Sequence, residues 1–303
     1  MNFTHLAAFR AVAETGSVTA AAARLHVSQP ALTREIRELE ERLGVPLFDR
    51  MPRGMQPTEA GRLLLEYAAQ IFRLADAAED AVSEFAGLKR GQLAMASSRT
   101  IGAYLLPELM DRFRDLYPGV TVQLAVSNTE QVKHAVLSQQ CQLGLVEGPY
   151  DTEAFDALAC GRDQIIAVAG AAHPYARRRK LHAADLAKAE LVLREIGSGT
   201  REVVARAYAA NGLTLAPSLT IGSPEAIKRL LRIGRAVSWV PRLSVIDELA
   251  SGTLVELPVI DVNVERQLNM LWRKGQTLSP SARAFRTLVQ QRICATANHH
   301  AAP

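Results

Sequence analysis

The chain of 303 residues has no apolar run near the roughly twenty residues that span a bilayer, so no transmembrane helix is expected. Met1 to Glu14 lacks the basic-then-apolar order of a secretory leader and reads as an amphipathic helix, which points to a cytoplasmic protein. Cysteine is scarce. Cys141, Cys160 and Cys294 are widely spaced, so neither a disulfide framework nor a metal knuckle is suggested, and reduced thiols are expected. His182, His299 and His300 also lack ligand spacing; no metal and no cofactor is expected. A strong charge imbalance is missing as well. Lys and Arg number 35 against 31 Asp and Glu, and residues 1–60 hold seven of each sign. Binding to a polyanion therefore has to rest on where the arginines stand. An enzyme would need a nucleophile, base and orienter, or a metal set, and none is found. Gly197-Ser198-Gly199 lacks the Gly-x-Ser-x-Gly frame of a hydrolase nucleophile turn.

What is present begins with a helix signal. Ser28 suits a helix cap and Pro30 fits a first turn, where a missing N–H costs nothing. From there Leu32, Ile36, Leu39 and Leu43 follow the spacing of a buried stripe, while Pro30, Thr33, Arg34 and Arg37 fall on another face. Ala20 to Ala23 form a preceding helix of small residues, joined by a short turn through His26 and Val27. Gly44 suits a left-handed stop, and Val45 to Gly54, with Arg50 and Arg53, leaves room for a short wing before a new helix signal at Thr58.

The chain resembles the LysR-type transcriptional regulators through Ala21-Ala22, Leu25, Val27-Ser28-Gln29-Pro30-Ala31, Ile36, Leu39-Glu40, Leu43-Gly44, Leu47-Phe48, Arg50 and Pro57-Thr58-Glu59-Ala60-Gly61. That resemblance implies a winged helix-turn-helix over 1–57 that reads double-stranded promoter DNA. Arg34, Arg37, Arg50 and Arg53 would meet phosphates, Gln29, Pro30 and Thr33 would stand at base edges, and Ser28 at the helix start belongs to the same DNA-binding set.

Thr58 to Phe85 reads as one long helix, with Leu64, Ala68, Ile71, Ala75, Ala78 and Val82 alternating four and three apart as a heptad seam. A linker and dimerisation helix over 58–86 follows, and Gly87 to Gly91 marks a hinge. The resemblance adds that such homodimers commonly pair into tetramers.

From 92 onward the pattern is α/β. β-rich runs at 93–96, 120–126, 143–146, 165–168, 191–193, 219–221, 236–240, 254–257 and 267–272 alternate with helical stretches. The resemblance implies an effector-binding domain over 92–303 with a two-subdomain, periplasmic-binding-protein-like fold. The first subdomain would take about 92–162 and 264–303, the second about 163–263, with crossovers near Gly148-Pro149-Tyr150 and Asp261 to Glu265. Ser279 and Pro280 would open the last helix, and Arg177 to Lys180 reads as a solvated loop.

Two strand-to-helix corners are rich in hydroxyls: Ser97-Ser98-Arg99-Thr100-Ile101-Gly102 and Arg194-Glu195-Ile196-Gly197-Ser198-Gly199-Thr200-Arg201. Each offers helix N–H groups, hydroxyls and a guanidinium, a set that suits an anion. Ser98, Arg99, Thr100, Ser198, Gly199, Thr200 and Arg201 are therefore expected to bind a small anionic effector, with Thr129 and Glu147 lining the same cleft. The plain alternative for each corner is ordinary helix capping. The second run is similar to that of LysR regulators of carbon fixation and sulfur metabolism, although Ile196 stands where proline is often found. The function implied is a transcriptional regulator, not an enzyme, whose promoter binding and effect on RNA polymerase change when the effector biases a two-state switch. A transport-type binding protein and an effector-independent architectural DNA binder are the competing readings.

Overall fold

The computed structural model describes residues 1–51, 54–84 and 91–299, which fall into two compact units, Met1–Glu79 and Asp80–Pro303. The first unit starts with α1 (Phe3–Thr15), α2 (Val18–Arg24) and α3 (Gln29–Leu43). Ser28 caps α3 by accepting from the Ala31 amide, and Gly44 ends it at φ 73°, a left-handed value that favours glycine. Leu32, Ile36 and Leu39 pack with Phe9, Val12 and Leu47 in one core. Leu43 departs from the expected buried stripe and is exposed, because α3 ends there and the chain turns away.

The wing is a hairpin of β1 (Phe48–Met51) and β2 (Gly54–Pro57), with Arg50 opposite Met55. α4 (Glu59–Glu84) follows, capped by Thr58, whose hydroxyl accepts from the Gly61 amide at 3.0 Å. Arg53, Phe85 and the hinge segment up to Arg90 lie outside the described residues.

α4 shifts the expected seam. Ala68 is fully buried, Leu64 packs into the core of the first unit (the head), and Phe72 meets Phe3 of α1 edge-on. The exposed apolar side chains are Leu63, Tyr67, Leu74 and Val82, with exposed Ala78 between the last two.

The second unit contains, in order, β3 (Gly91–Ser98), α5 (Arg99–Tyr104), α6 (Leu106–Leu116), β4 (Val120–Ser127), α7 (Thr129–Leu137), β5 (Leu143–Glu147) and β6 (Phe155–Gly170). Then come α8 (Ala183–Leu186), β7 (Glu190–Leu193), α9 (Gly199–Ala210), β8 (Leu219–Thr220), α10 (Pro224–Arg232), β9 (Ala236–Pro241), α11 (Ile246–Ala250), β10 (Leu254–Glu256), β11 (Val264–Arg273) and α12 (Pro280–His299). The strands run β4-β3-β5-β11-β6-β9-β7-β8, with β10 also on β6.

At one end β4, β3 and β5 are parallel; at the other β9, β7 and β8 are parallel. Between them the long antiparallel pair β6 and β11 joins two lobes. Each lobe has its own cores on both sheet faces, which is why β5 and β9 are buried along their whole length and read as apolar runs. The crossover lies inside β6, not at Gly148 to Tyr150. Residues 155–164 are largely half-exposed or polar and so carry no apolar-run signal. α12 closes the first lobe through Ala282, Phe285, Leu288 and Val289.

Candidate functional site

In the head, Ser28, Gln29, Pro30, Thr33, Arg34 and Arg37 are all exposed. The Thr33 hydroxyl donates to the Gln29 carbonyl at 2.9 Å, and Thr19 reaches the Gln29 side-chain oxygen at 3.4 Å, which orients the helix start. Glu40 accepts from the Leu47 and Phe48 amides, and Glu35 and Glu38 lie 3.4 and 3.5 Å from His5 Nε2. Arg34 and Arg37 have only exposed partners one turn on, Glu38 at 3.7 Å and Glu41 at 2.8 Å, pairs that a phosphate can exchange with little loss.

In the second unit the expected corner residues converge from both lobes, but many already have protein partners. Ser98 caps α5 by accepting from the Ile101 amide at 3.4 Å, the plain capping alternative. The Gly199 amide donates to Thr129 Oγ1 at 3.1 Å, and a Cβ on Gly199 would stand 2.4 Å from the Glu147 carbonyl, so only glycine permits this approach. Thr200 Oγ1 accepts from Arg266 at 2.9 Å. Arg201 donates to the Arg194 carbonyl and to Thr220. Ser198 Oγ and Glu147 Oε2 are buried without a hydrogen-bond partner among the described residues.

Sequence reasoning missed Arg266, which lies wholly buried between Glu147 at 3.1 Å and Asp163 at 2.6 Å. Its one available signal was alternation, which puts Arg266 on the same buried face of β11 as Val264 and Leu268. Arg194 and Glu195 stood in the second run but were passed over. Arg194 gives Nε to Glu195 Oε2 at 2.8 Å and Nη2 to Oε1 at 3.1 Å, and Arg99 of the first lobe reaches the same Oε1 at 2.5 Å. Burial raises the Glu195 pKa, but hydrogen bonding and charge from Arg194, with Arg99 adding its charge, hold it below the ordinary carboxylate value.

Beside this cluster Thr100, Tyr104, Arg194, Lys228, Trp239 and Ser244 line a cavity of about 20 Å³ between the lobes. Lys228 is buried with Glu225 at 2.7 Å and Glu248 at 3.0 Å. Burial acts to lower its pKa, and those two carboxylates more than offset it, so the ammonium is held charged.

Cys141 and Cys160 are held as protonated thiols. Burial pushes Cys141 up to about 12 and Cys160 up to about 11.

The comparisons agree with this two-part organisation. Residues 3–62 match the family model for bacterial regulatory helix-turn-helix proteins of the lysR family, and residues 86–293 match the LysR substrate binding domain. The RuBisCO operon transcriptional regulator of Allochromatium vinosum is 33% identical over 289 residues, covering 95% of each chain. Full-length CbnR, solved in complex with its target DNA, aligns over 96% of this chain and 99% of its own at 25% identity, with a TM-score of 0.71. The regulatory domain of CcmR from Synechocystis PCC6803, solved in complex with 2-PG, aligns over 66% of this chain and 97% of its own at 25% identity and a TM-score of 0.60. No described helix is long and apolar enough to cross a membrane. With a capped helix-turn-helix head, a two-lobed α/β domain and family matches over both, the chain belongs to the LysR family of DNA-binding transcriptional regulators with an effector-binding domain.

Proposed function

We propose that this regulator is switched by a small anionic metabolite held between the lobes of its second unit. The observation that carries the reading is the meeting of Arg99 and Arg194, one from each lobe, on Glu195 and beside Thr100, with the buried, unpartnered Ser198 hydroxyl in the same corner as Glu195. The 2-PG complex of the CcmR domain supports the ligand class. Residues 1–57 serve as the DNA reader. Gln29, Pro30 and Thr33 meet base edges, while Arg34, Arg37, Arg50 and Arg53 set register on phosphates. The exposed face of α4 joins two copies, and dimers pair into tetramers, so that lobe movement changes head spacing, DNA bend and access of RNA polymerase in the cytoplasm.

Thermal-shift screening of the full chain against anionic metabolites and oxyanions tests the effector reading. A selective ligand at a hundredfold above its Kd stabilises by about 2.7 kcal/mol. The gain is expected to disappear in a Thr100→Ala, Ser198→Ala double variant. Unchanged affinity in that variant would remove the corners from the site, and no hit across the panel would favour an effector-independent regulator.

A further inference from the structure

Arg99 is the first residue of α5 in one lobe, and Glu195 follows β7 in the other. One carboxylate therefore serves two guanidinium groups that the fold brings together from opposite sides of the cleft. Without it, two like charges would face each other, one of them, Arg194, only 6% exposed. The same end of the cleft is drawn together by the Tyr104 hydroxyl, which reaches the Ser244 carbonyl at 3.3 Å, and by Lys228 Nζ at 3.4 Å from that hydroxyl. The cavity left there, about 20 Å³, has room for about one water. An anion larger than that enters only if something moves.

We propose that Glu195 is a built-in counter-anion: it latches the ligand-free cleft by holding Arg99 to Arg194, and an effector binds by taking these guanidinium groups from it. The inference rests on the anionic-effector reading and specifies how that site is regulated. It also narrows the ligand. A neutral compound has nothing to offer either arginine and leaves the latch closed. A carboxylate or phosphoryl group with at least two free oxygens reproduces both arms of the bridge, and a dianion compensates both arginines more fully than the single charge it displaces. Glu195 thereby sets a threshold of charge that weak monoanions fail to reach.

The test uses the full chain, with hydrogen exchange of segment 99–105 read without added anion and calorimetric titration with inorganic phosphate and with 2-PG. Glu195→Gln keeps the shape and a hydrogen-bond acceptor but removes the charge. It is expected to speed exchange of the segment and to tighten phosphate binding by about tenfold, which corresponds to about 1.4 kcal/mol. Arg99→Gln breaks the same bridge from the other side. It is expected to speed exchange equally while weakening both anions, and this opposite pair of binding effects is the signature of a latch. If Glu195→Gln leaves exchange unchanged, or weakens phosphate, the latch is overturned and Glu195 is a plain structural partner or a ligand contact. If Glu195→Gln speeds exchange but neither anion binds any variant, the latch stands and the anionic-effector reading fails.

Discussion

Arg266 and Asp163 stand directly opposite each other on the two strands that join the lobes, and Asp163 Oδ2 accepts from both Nε and Nη2 of Arg266, at 3.0 and 2.6 Å. The same guanidinium reaches Glu147 and Thr200. One buried cation thus ties β11 to β6, β5 and the start of α9, the elements about which the lobes are joined. Replacing Arg266 by Met leaves two buried carboxylates uncompensated and is expected to cost about 3–5 kcal/mol in chemical denaturation. Adding Asp163→Leu and Glu147→Leu to that chain is expected to return much of the loss. A single variant within about 0.5 kcal/mol of the parent would mean that the triad contributes little.

Base readout and phosphate anchoring separate by their response to sequence and salt. Gln29→Ala is expected to lower discrimination at one or two base pairs by about 1–3 kcal/mol. Arg34→Ala weakens binding to all sequences and flattens the salt dependence by roughly one phosphate contact. Binding isotherms on a matched and a scrambled site at several salt concentrations distinguish them, and an exchange of the two phenotypes would reverse the assigned roles.

The exposed stripe on α4 makes a prediction about assembly. Leu74→Asp, at a position 58% exposed in the single chain, is expected to weaken self-association by more than tenfold in sedimentation experiments without lowering the melting temperature of the head. Ala68→Asp buries an unpaired charge inside the head and is expected to unfold it. Equal association of the parent and Leu74→Asp would place the subunit contact elsewhere.

The buried pair of Lys228 and Glu248 predicts a pH dependence. Burial raises Glu248, but Lys228 and Arg232 hold it below its ordinary value of 4.5. Its contribution to stability is therefore complete above pH 4.5 and is lost as pH falls through the depressed value. Lys228 is shifted upward, so its share is complete below its ordinary 10.5 and is lost only as pH rises beyond it. Glu248→Gln is expected to destabilise at neutral pH by about 3 kcal/mol and to flatten the acid limb of the stability curve. An acid limb that survives the substitution would trace to other carboxylates.

The sequence by itself determined most of what is local. Ser28, Pro30 and Gly44 set the ends of the recognition helix because capping and positive φ depend on single residues. The nine β-rich runs of the second unit all became strands, and the two that are buried along their whole length, β5 and β9, are continuous apolar runs because helices or loops cover both faces there. The hydroxyl-rich corners were visible for the same reason, as each lies at a strand-to-helix turn. Partnership was decided by the tertiary structure. Ser98 caps its own helix while Ser198 does not, although the two corners read alike. The exposed stripe of α4 is displaced by one position over Leu63, Tyr67 and Leu74 and regains the expected positions at Ala78 and Val82; Ala68 is buried and Phe72 of that helix meets Phe3 of α1, a contact between distant parts of the chain that periodicity cannot contain. Arg99 and Glu195 are 96 residues apart in the chain, and Arg266 and Asp163 are 103 apart. Charges so distant carry no mark of their partner in the sequence; only the folding of two lobes across β6 and β11 brings each cation to its carboxylate.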